Sequence, residues 1–268
     1  AASGDSFALF SDPHVAADPA TALRGVTMAE NLRLAVKDVL SLERRPGGLL
    51  VNGDCAMLKG EAGDYLTFGG LVKPIRESGI PVHLTLGNHD DRGEFLKAFS
   101  DSIPAEHPVS EKHVAVVESP KANWFLLDTL EAVNKTPGLL GEQQLGWLEK
   151  ALDKRKGKPA IVVCHHNPQR GETKSGIKDS DRLFEITESR KYVKAIIYGH
   201  THVWSVTQEP SGLHLINLPP VAYVFKDGLP NGWVSALVRE DGLNLELRCL
   251  DARHPLNGEK RDLKWRKA

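Results

Sequence analysis

Short apolar runs alternate with stretches of helical spacing along most of the chain. Residues 6–10 (Ser-Phe-Ala-Leu-Phe) predict a strand that stops at Ser11-Asp12-Pro13-His14. Leu32, Ala35, Val36, Val39 and Leu40 then recur at i, i+3, i+4, i+7 and i+8 among charged positions, which predicts an amphipathic helix ended by Pro46-Gly47-Gly48. Residues 49–52 predict a buried strand closed by Gly53-Asp54, and residues from about 63 to 77 a helix stopped by Ser78-Gly79. Residues 80–86 predict a third strand, ended by Gly87-Asn88-His89-Asp90. The rhythm continues with strands at 113–118 and 123–128 and a helix at 143–152, where Leu145, Leu148 and Leu152 share a face. A strand at 160–164 runs into His165-His166-Asn167-Pro168, and a helix is expected near 179–189. The strand at 195–198 runs into Gly199-His200-Thr201-His202. Beyond Val203 strand follows strand, at 203–208, 213–217, 234–239 and 243–249, before a basic stretch at 260–267 that is expected to be a solvated terminus with Trp265 docked on the body. Helices between strands early and hairpins late predict an α/β layered protein with mixed sheets.

Composition narrows the picture. At 268 residues and 41% apolar content the chain can bury one substantial core, and without repeats, low-complexity tracts or a linker we expect a single domain over 1–268. No apolar run approaches the ~20 residues of a membrane span. Lys and Arg number 34 against 35 Asp and Glu, a net charge of −1, which argues against a binder of extended nucleic acid. Cys55, Cys164 and Cys249 are odd in number and far apart, so no disulfide framework is expected. The opening Ala1-Ala2-Ser3-Gly4 suits an exported mature protein or a trimmed cytoplasmic one, and leaves the compartment open.

Five of the predicted strands end in side chains that ligate metals: Asp12 and His14; Asp54; Asn88 and His89; His165; and His200 and His202. Singly, each motif is an ordinary turn, cap or core histidine. Jointly, they place such residues at one edge of the sheets, because α/β proteins bind ligands beyond the carboxyl ends of their strands. Imidazole and carboxylate ligands without thiolate suit Mn, Fe or Zn. Seven ligands are too many for one ion and suit two ions that share a carboxylate, a device for phosphoryl chemistry in which a metal-bridging hydroxide attacks phosphorus in line.

In this arrangement the residues resemble the calcineurin-like metallophosphoesterase superfamily, whose pattern is D-x-H, G-D, G-N-H-[DE], a lone H and G-H-x-H, each after a strand. Residues 6–202 carry all five parts: Asp12-Pro13-His14, Gly53-Asp54, Gly87-Asn88-His89-Asp90, His165 and Gly199-His200-Thr201-His202. The resemblance implies a four-layer sandwich of two mixed β-sheets flanked by helices, with the β-rich part from about 203 to 268 completing the second sheet. It implies that Asp12, His14 and His202 hold one metal, that Asn88, His165 and His200 hold the other, and that Asp54 bridges them. His89 matches the family histidine that contacts the phosphate and protonates the leaving oxygen, a role suited to a group that titrates near neutral pH.

Gly87-Asn88-His89-Asp90-Asp91-Arg92 and His165-His166 resemble the bacterial class III cyclic-nucleotide and glycerophosphodiester phosphodiesterases, while Cys55-Ala56-Met57-Leu58 departs from the G-D-x-x-D-R-G of protein phosphatases. Asn167-Pro168 replaces the usual Pro-Pro, and Cys55 stands where a larger apolar residue is common. A dinuclear phosphodiesterase is therefore the leading expectation. A phosphomonoesterase, a nuclease, a nucleotide-pyrophosphatase and a non-catalytic partner-binding scaffold are the alternatives, though a scaffold would have shed ligands. Arg92, His166 and Tyr223, with Asn88 and His89, are candidate substrate contacts. Each of the first three has a plain counterpart, as a surface ion pair, a second-layer residue or a hairpin connection. Asp90 and Asp91 are candidates to orient His89 or a ligand histidine. Cys55 and Cys164 are expected to point into the core. His83, His107, His113, His214 and His254 lack a strand-end motif and are not expected to act.

Overall fold

The alternation of side chains within each strand decides which layer it faces. In the computed structural model, which describes residues 3–101 and 108–267, the first strand β1 spans Ser3–Ser11. Its Ala8 and Phe10 point to helices, while Phe7 and Leu9 point to a second sheet. The opening Ala1-Ala2 and His107 lie outside the described residues. A small hairpin, β2 (Ala22–Leu23) and β3 (Val26–Thr27), follows and leads into α1 (Met28–Ser41). Then come β4 (Pro46–Asn52), α2 (Ala62–Glu77), β5 (Val82–Thr85) and α3 (Arg92–Ala98). The second half runs through β6 (Ala115–Glu118), β7 (Asn123–Leu126), α4 (Glu142–Lys154), β8 (Ala160–Val163), α5 (Ser180–Ser189) and β9 (Val193–Tyr198). It closes with β10 (Ser205–Gln208), β11 (His214–Asn217), β12 (Gly232–Val238), β13 (Gly242–Cys249) and β14 (Lys260–Lys264).

Among the described residues these strands form two six-stranded mixed sheets, in the orders β14-β13-β12-β1-β4-β5 and β10-β11-β9-β8-β7-β6. Three apolar clusters define the layers. Leu32, Val36 and Val39 of α1, Phe68 and Val72 of α2, and Phe95 of α3 cover one face of the first sheet. Phe7, Leu9, Leu50, Trp124, Ile161, Ile197 and Val234 fill the space between the sheets. Leu145, Leu148 and Leu152 of α4 and Leu183 and Phe184 of α5 cover the outer face of the second sheet. The result is the expected four-layer α/β/β/α sandwich. No helix of the described residues is long and apolar enough to cross a membrane.

Four expectations need correction. Pro46-Gly47-Gly48 does not end the first helix, which stops at Ser41. Pairing of β4 with β1 reaches back to Ser3↔Pro46 and Phe7↔Gly48, so the strand absorbs these residues. The part from 203 to 268 does not complete the second sheet as a whole: β10 and β11 join it, but β12, β13 and β14 extend the first. The cause is β12, whose Val234, Ala236 and Val238 fit the space between the sheets while Trp233 packs on the helix side against Phe10 and donates Nε1–H to Asp38 of α1 at 2.9 Å. Residues 260–264 are a strand and not a loose tail, because Leu263 is buried between the sheets while Lys260 and Lys264 reach Glu246 and Asp241. Trp265 does pack on the body. Beyond it Arg266 is buried and donates to the carbonyls of Val193 and Thr187, so the end of the described chain is tied to the second sheet and α5. Lastly, the helix α3 was not expected; Asp91 caps it by accepting the Glu94 N–H at 2.9 Å.

Candidate metal centre

The strands β1, β4 and β5 are parallel neighbours in one sheet, and β8 and β9 are parallel neighbours in the other. Their carboxyl ends meet at one edge of the sandwich. There Asp12 N–H donates to Gly53 O (3.2 Å) and His14 N–H to Asp54 O (2.9 Å), while Gly199 N–H donates to His165 O (2.9 Å). Asn52, the last residue of β4, ties the sheets together: its amide donates to Cys164 O (2.9 Å), and its own carbonyl lies 2.9 Å from His165 Nδ1.

After each strand the backbone turns sharply. Asp12, His14, Asp54, His200 and His202 all have positive φ, between 46° and 67°. For residues other than glycine this left-handed conformation costs of order 1–3 kcal/mol each, and such strain concentrates at functional sites. The turns gather the side chains into three groups whose ligand atoms lie within 4.8 Å of one another: Asp12, His14 and His202; His14, Asp54 and His89; and Asp54, His165 and His200. Asn88 sits beside them with a buried Oδ1 that has no hydrogen-bond partner, as do Asp12 Oδ1 and His165 Nε2. Six of the seven expected ligands, with His89, are therefore in one place, and Asn88 is the residue before His89. The described histidines not expected to act lie outside these groups, with the His113 ring on Leu84 O and His214 on Lys264 O.

Main-chain carbonyls orient the rings. Nδ1 of His14, His89, His165 and His202 lies 3.3, 3.0, 2.9 and 2.6 Å from the carbonyls of Met57, Leu58, Asn52 and Tyr223. An Nδ1–H donated in this way leaves Nε2 as the ligating atom, as is usual around protein-bound metals. His14 Nε2 and His202 Nε2 then face each other at 3.1 Å, both 3.4–3.7 Å from Asp12 Oδ1. Two lone pairs and a carboxylate oxygen aimed at one point, all buried, have unmet acceptor capacity that a cation satisfies. The residues fit a metal.

The electrostatics agree. Burial alone would raise the Asp12 and Asp54 carboxyls, but facing histidines, His165 foremost, hold both well below the usual carboxylate range. His165, despite its burial, is pulled up to about 10 by Asp54 and Asp12. Burial, with the neighbouring His165, pushes His200 down to about 4. Without a metal, Asp12, Asp54 and His165 thus hold one another in their charged forms, and His200 stays neutral.

The other sequence candidates separate. The Arg92 guanidinium bonds to Asp128, at 2.7 and 3.2 Å, and to Leu130 O at 2.8 Å, so it forms the ion pair that was its plain counterpart. His166 is fully buried, with Nδ1 2.7 Å from Thr129 Oγ1 and its ring 4.7 Å from that of His200, so it backs a ligand and has no surface to offer substrate. Tyr223 does reach the centre, stacked on His14 at 5.2 Å. Asp90 and Asp91 do not orient His89. Asp90 accepts from Gly87, Cys55 and Ala56 N–H and from the Tyr65 hydroxyl, binding the Asp54 and Asn88 loops together, and Asp91 caps α3. Cys55 and Cys164 are buried in the core as expected, and burial pushes both thiols up, that of Cys164 to about 12. Asn52 and Ser11, whose hydroxyl donates to Asp12 Oδ2 at 2.5 Å, escaped the sequence analysis. A polar residue closing an otherwise apolar strand was the signal.

Gly199 permits the closest approach of the two halves: a β-carbon there would lie 2.0 Å from Ser11 Oγ and 2.7 Å from Asp12 Oδ2. Gly199→Ala is expected to displace Asp12 and weaken metal binding about 10–100-fold with the far-UV circular dichroism unchanged. Metal titration of the purified variant measures this, and wild-type affinity would mean that the loop yields freely.

Residues 6–204 match the family model described as calcineurin-like phosphoesterase. A protein of Haemophilus influenzae named 3′,5′-cyclic adenosine monophosphate phosphodiesterase CpdA is 27% identical over 243 residues, covering 86% of this chain and 84% of that one. A probable glycerophosphodiester phosphodiesterase, GpdQ, of Arcobacter nitrofigilis is 27% identical over 207 residues, covering 74% and 71%. Among solved structures, a dimetal phosphatase from Danio rerio has the same fold, with a TM-score of 0.75 at 17% identity over 97% of this chain and 99% of that one.

Proposed function

The chain belongs to the calcineurin-like phosphoesterases and is a metal-dependent phosphoric ester hydrolase; from that premise we propose that it hydrolyses phosphodiesters, of cyclic nucleotides or glycerophosphodiesters, at a centre of two metal ions. Asp12, His14 and His202 would hold one ion, Asn88, His165 and His200 the other, and Asp54 would be shared. One observation carries the shared carboxylate: Asp54 Oδ2 stands 3.7 Å from His14 Nε2 and 3.2 Å from His165 Nε2, which belong to opposite groups. When bound, a pair of Mn, Fe or Zn ions supplies an activated water and positive charge against the phosphate oxygens.

The chain's own residues do the rest. His89 is anchored twice, by its N–H on Asp54 Oδ1 (2.8 Å) and its Nδ1 at Leu58 O (3.0 Å). In its imidazolium form, with Nδ1–H kept on Leu58 O, the ring passes the Nε2 proton to the departing alcohol and is left neutral. Asn88 adds a neutral amide oxygen that tunes charge without adding more. The names of the two relatives, both diesterases, support a diester over a monoester. The net charge of −1 supports a small substrate over extended nucleic acid.

The test is a panel of 3′,5′-cyclic AMP, glycerophosphoethanolamine, bis(p-nitrophenyl) phosphate and p-nitrophenyl phosphate, run on metal-stripped protein reloaded with Mn, Fe or Zn. Diesters are expected to turn over faster than the monoester by at least about tenfold, a 1.4 kcal/mol preference, with two metal atoms per chain by elemental analysis. A monoester preference, or one atom per chain at saturation, would replace this reading.

A further inference from the structure

A cationic and aromatic shelf lies beside the centre and has no part in the hydrolysis described above. Tyr223 stacks on His14 (5.2 Å), and Phe225 stacks on His202 with ring centroids 4.1 Å apart and planes 19° from parallel. Although it packs on a proposed ligand, Phe225 remains 53% exposed. Over both rings lies the Arg24 guanidinium, 5.0 Å from the Phe225 centroid and 5.8 Å from that of Tyr223.

Arg24 is held there by its backbone. It occupies, with Gly25, the two-residue turn of the β2–β3 hairpin, and both have positive φ, 52° and 80°. Such turns favour Asn, Asp or Gly at the first position, so arginine is an unfavoured choice at this one. The hairpin is fixed to the shelf beneath it: Val26 and Met28 pack with Ala222 and Tyr223, and the Asn31 amide donates to Ala222 O at 2.5 Å. Among the described residues no carboxylate pairs with Arg24, and its guanidinium makes no hydrogen bond. An exposed guanidinium held by cation–π contact over an exposed ring that itself stacks on a proposed ligand keeps its outer face and its N–H groups for a bound molecule.

Resting on the phosphodiesterase reading, we propose that Arg24 and Phe225 are specificity-determining residues that bind the planar base of a nucleotide substrate. A base stacks on aromatic and guanidinium planes alike, whereas a glycerol substituent has no flat face to offer either. The shelf therefore selects nucleotide diesters over glycerophosphodiesters of the same charge.

The experiment compares adenosine 5′-monophosphate with glycerol 3-phosphate as competitive inhibitors of bis(p-nitrophenyl) phosphate hydrolysis by the metal-loaded enzyme. Wild type is expected to bind the nucleotide at least about tenfold more tightly. Arg24→Ala and Phe225→Ala should each bring the ratio of inhibition constants towards one, and Arg24→Lys, which keeps the charge but not the plane, should restore it only in part. Inhibition by glycerol 3-phosphate, read on the same variants, reports that the centre itself is folded. Equal constants in wild type, or a preference that survives both alanine variants, would overturn the shelf. Should wild type fail to hydrolyse any diester, the parent reading fails instead. Calorimetric binding of adenosine 5′-monophosphate to the wild type and variants then decides the shelf alone.

Discussion

Asp54→Ala is expected to lower turnover of bis(p-nitrophenyl) phosphate by roughly 10³-fold or more, at least about 4 kcal/mol of barrier, and to strip metal from both sides of the centre at once. The reason is its position in two of the three ligand groups, with one oxygen turned to His14 and His165 and the other accepting the His89 N–H. Losing it removes a shared ligand, an anchor of His89 and half of the negative charge that faces buried His165. Asp12→Ala, by contrast, removes a member of one group only, with His165 of the other 3.9 Å away, and should cost about one metal per chain. Elemental analysis beside steady-state kinetics separates the two. An Asp54→Ala enzyme with wild-type metal content and turnover would be incompatible with a shared carboxylate.

His89→Ala is expected to cost about 10²–10⁴ in rate, the usual worth of a general acid, while the metal content stays at the wild-type level. The geometry makes this a sharp test, because His89 also forms a compact group with His14 and Asp54 and so has the placement of a ligand. Exposure does not separate the two roles, since His89 and the proposed ligand His200 are both half-buried while His14, His165 and His202 are buried, so the metal content decides. Metal lost together with activity would make His89 a ligand and leave the leaving group without an acid from this chain.

What could be read in the sequence followed local physics. Apolar runs that end in Asp12, Asp54, Asn88, His165 and His200 named both the strands and the edge at which they converge, since a buried parallel strand is continuously apolar and its carboxyl end carries the ligand. The second layer was harder to see. Asn52, Ser11 and Asp90 bond to backbone groups far away in sequence, at Cys164, at Asn52 and at Cys55 and Ala56 in turn, and no spacing encodes such a bond. The destination of β12, β13 and β14 was also hidden, because an alternating hairpin satisfies either sheet. What decides it is Trp233 meeting Phe10 and Asp38. The partner of Arg92 was hidden for a related reason: Asp128 lies just past a different strand. Tyr223 and the Arg24 turn gain meaning only once the hairpin is seen to pack on the 222–225 loop.

The place of β1 has a consequence for biogenesis. It sits between β4 and β12, and Leu9 pairs with Val234. During translation that flank of β1 therefore stays bare until residues 232–238 have left the ribosome, and an unpaired strand edge invites aggregation. Holdase chaperones should matter most over this long interval. Asp12 and His14 wait through the same interval for His202, and for Ala222, whose N–H seals Asp12 O. The ligand set proposed for this centre is thus complete only once residue 202 has emerged.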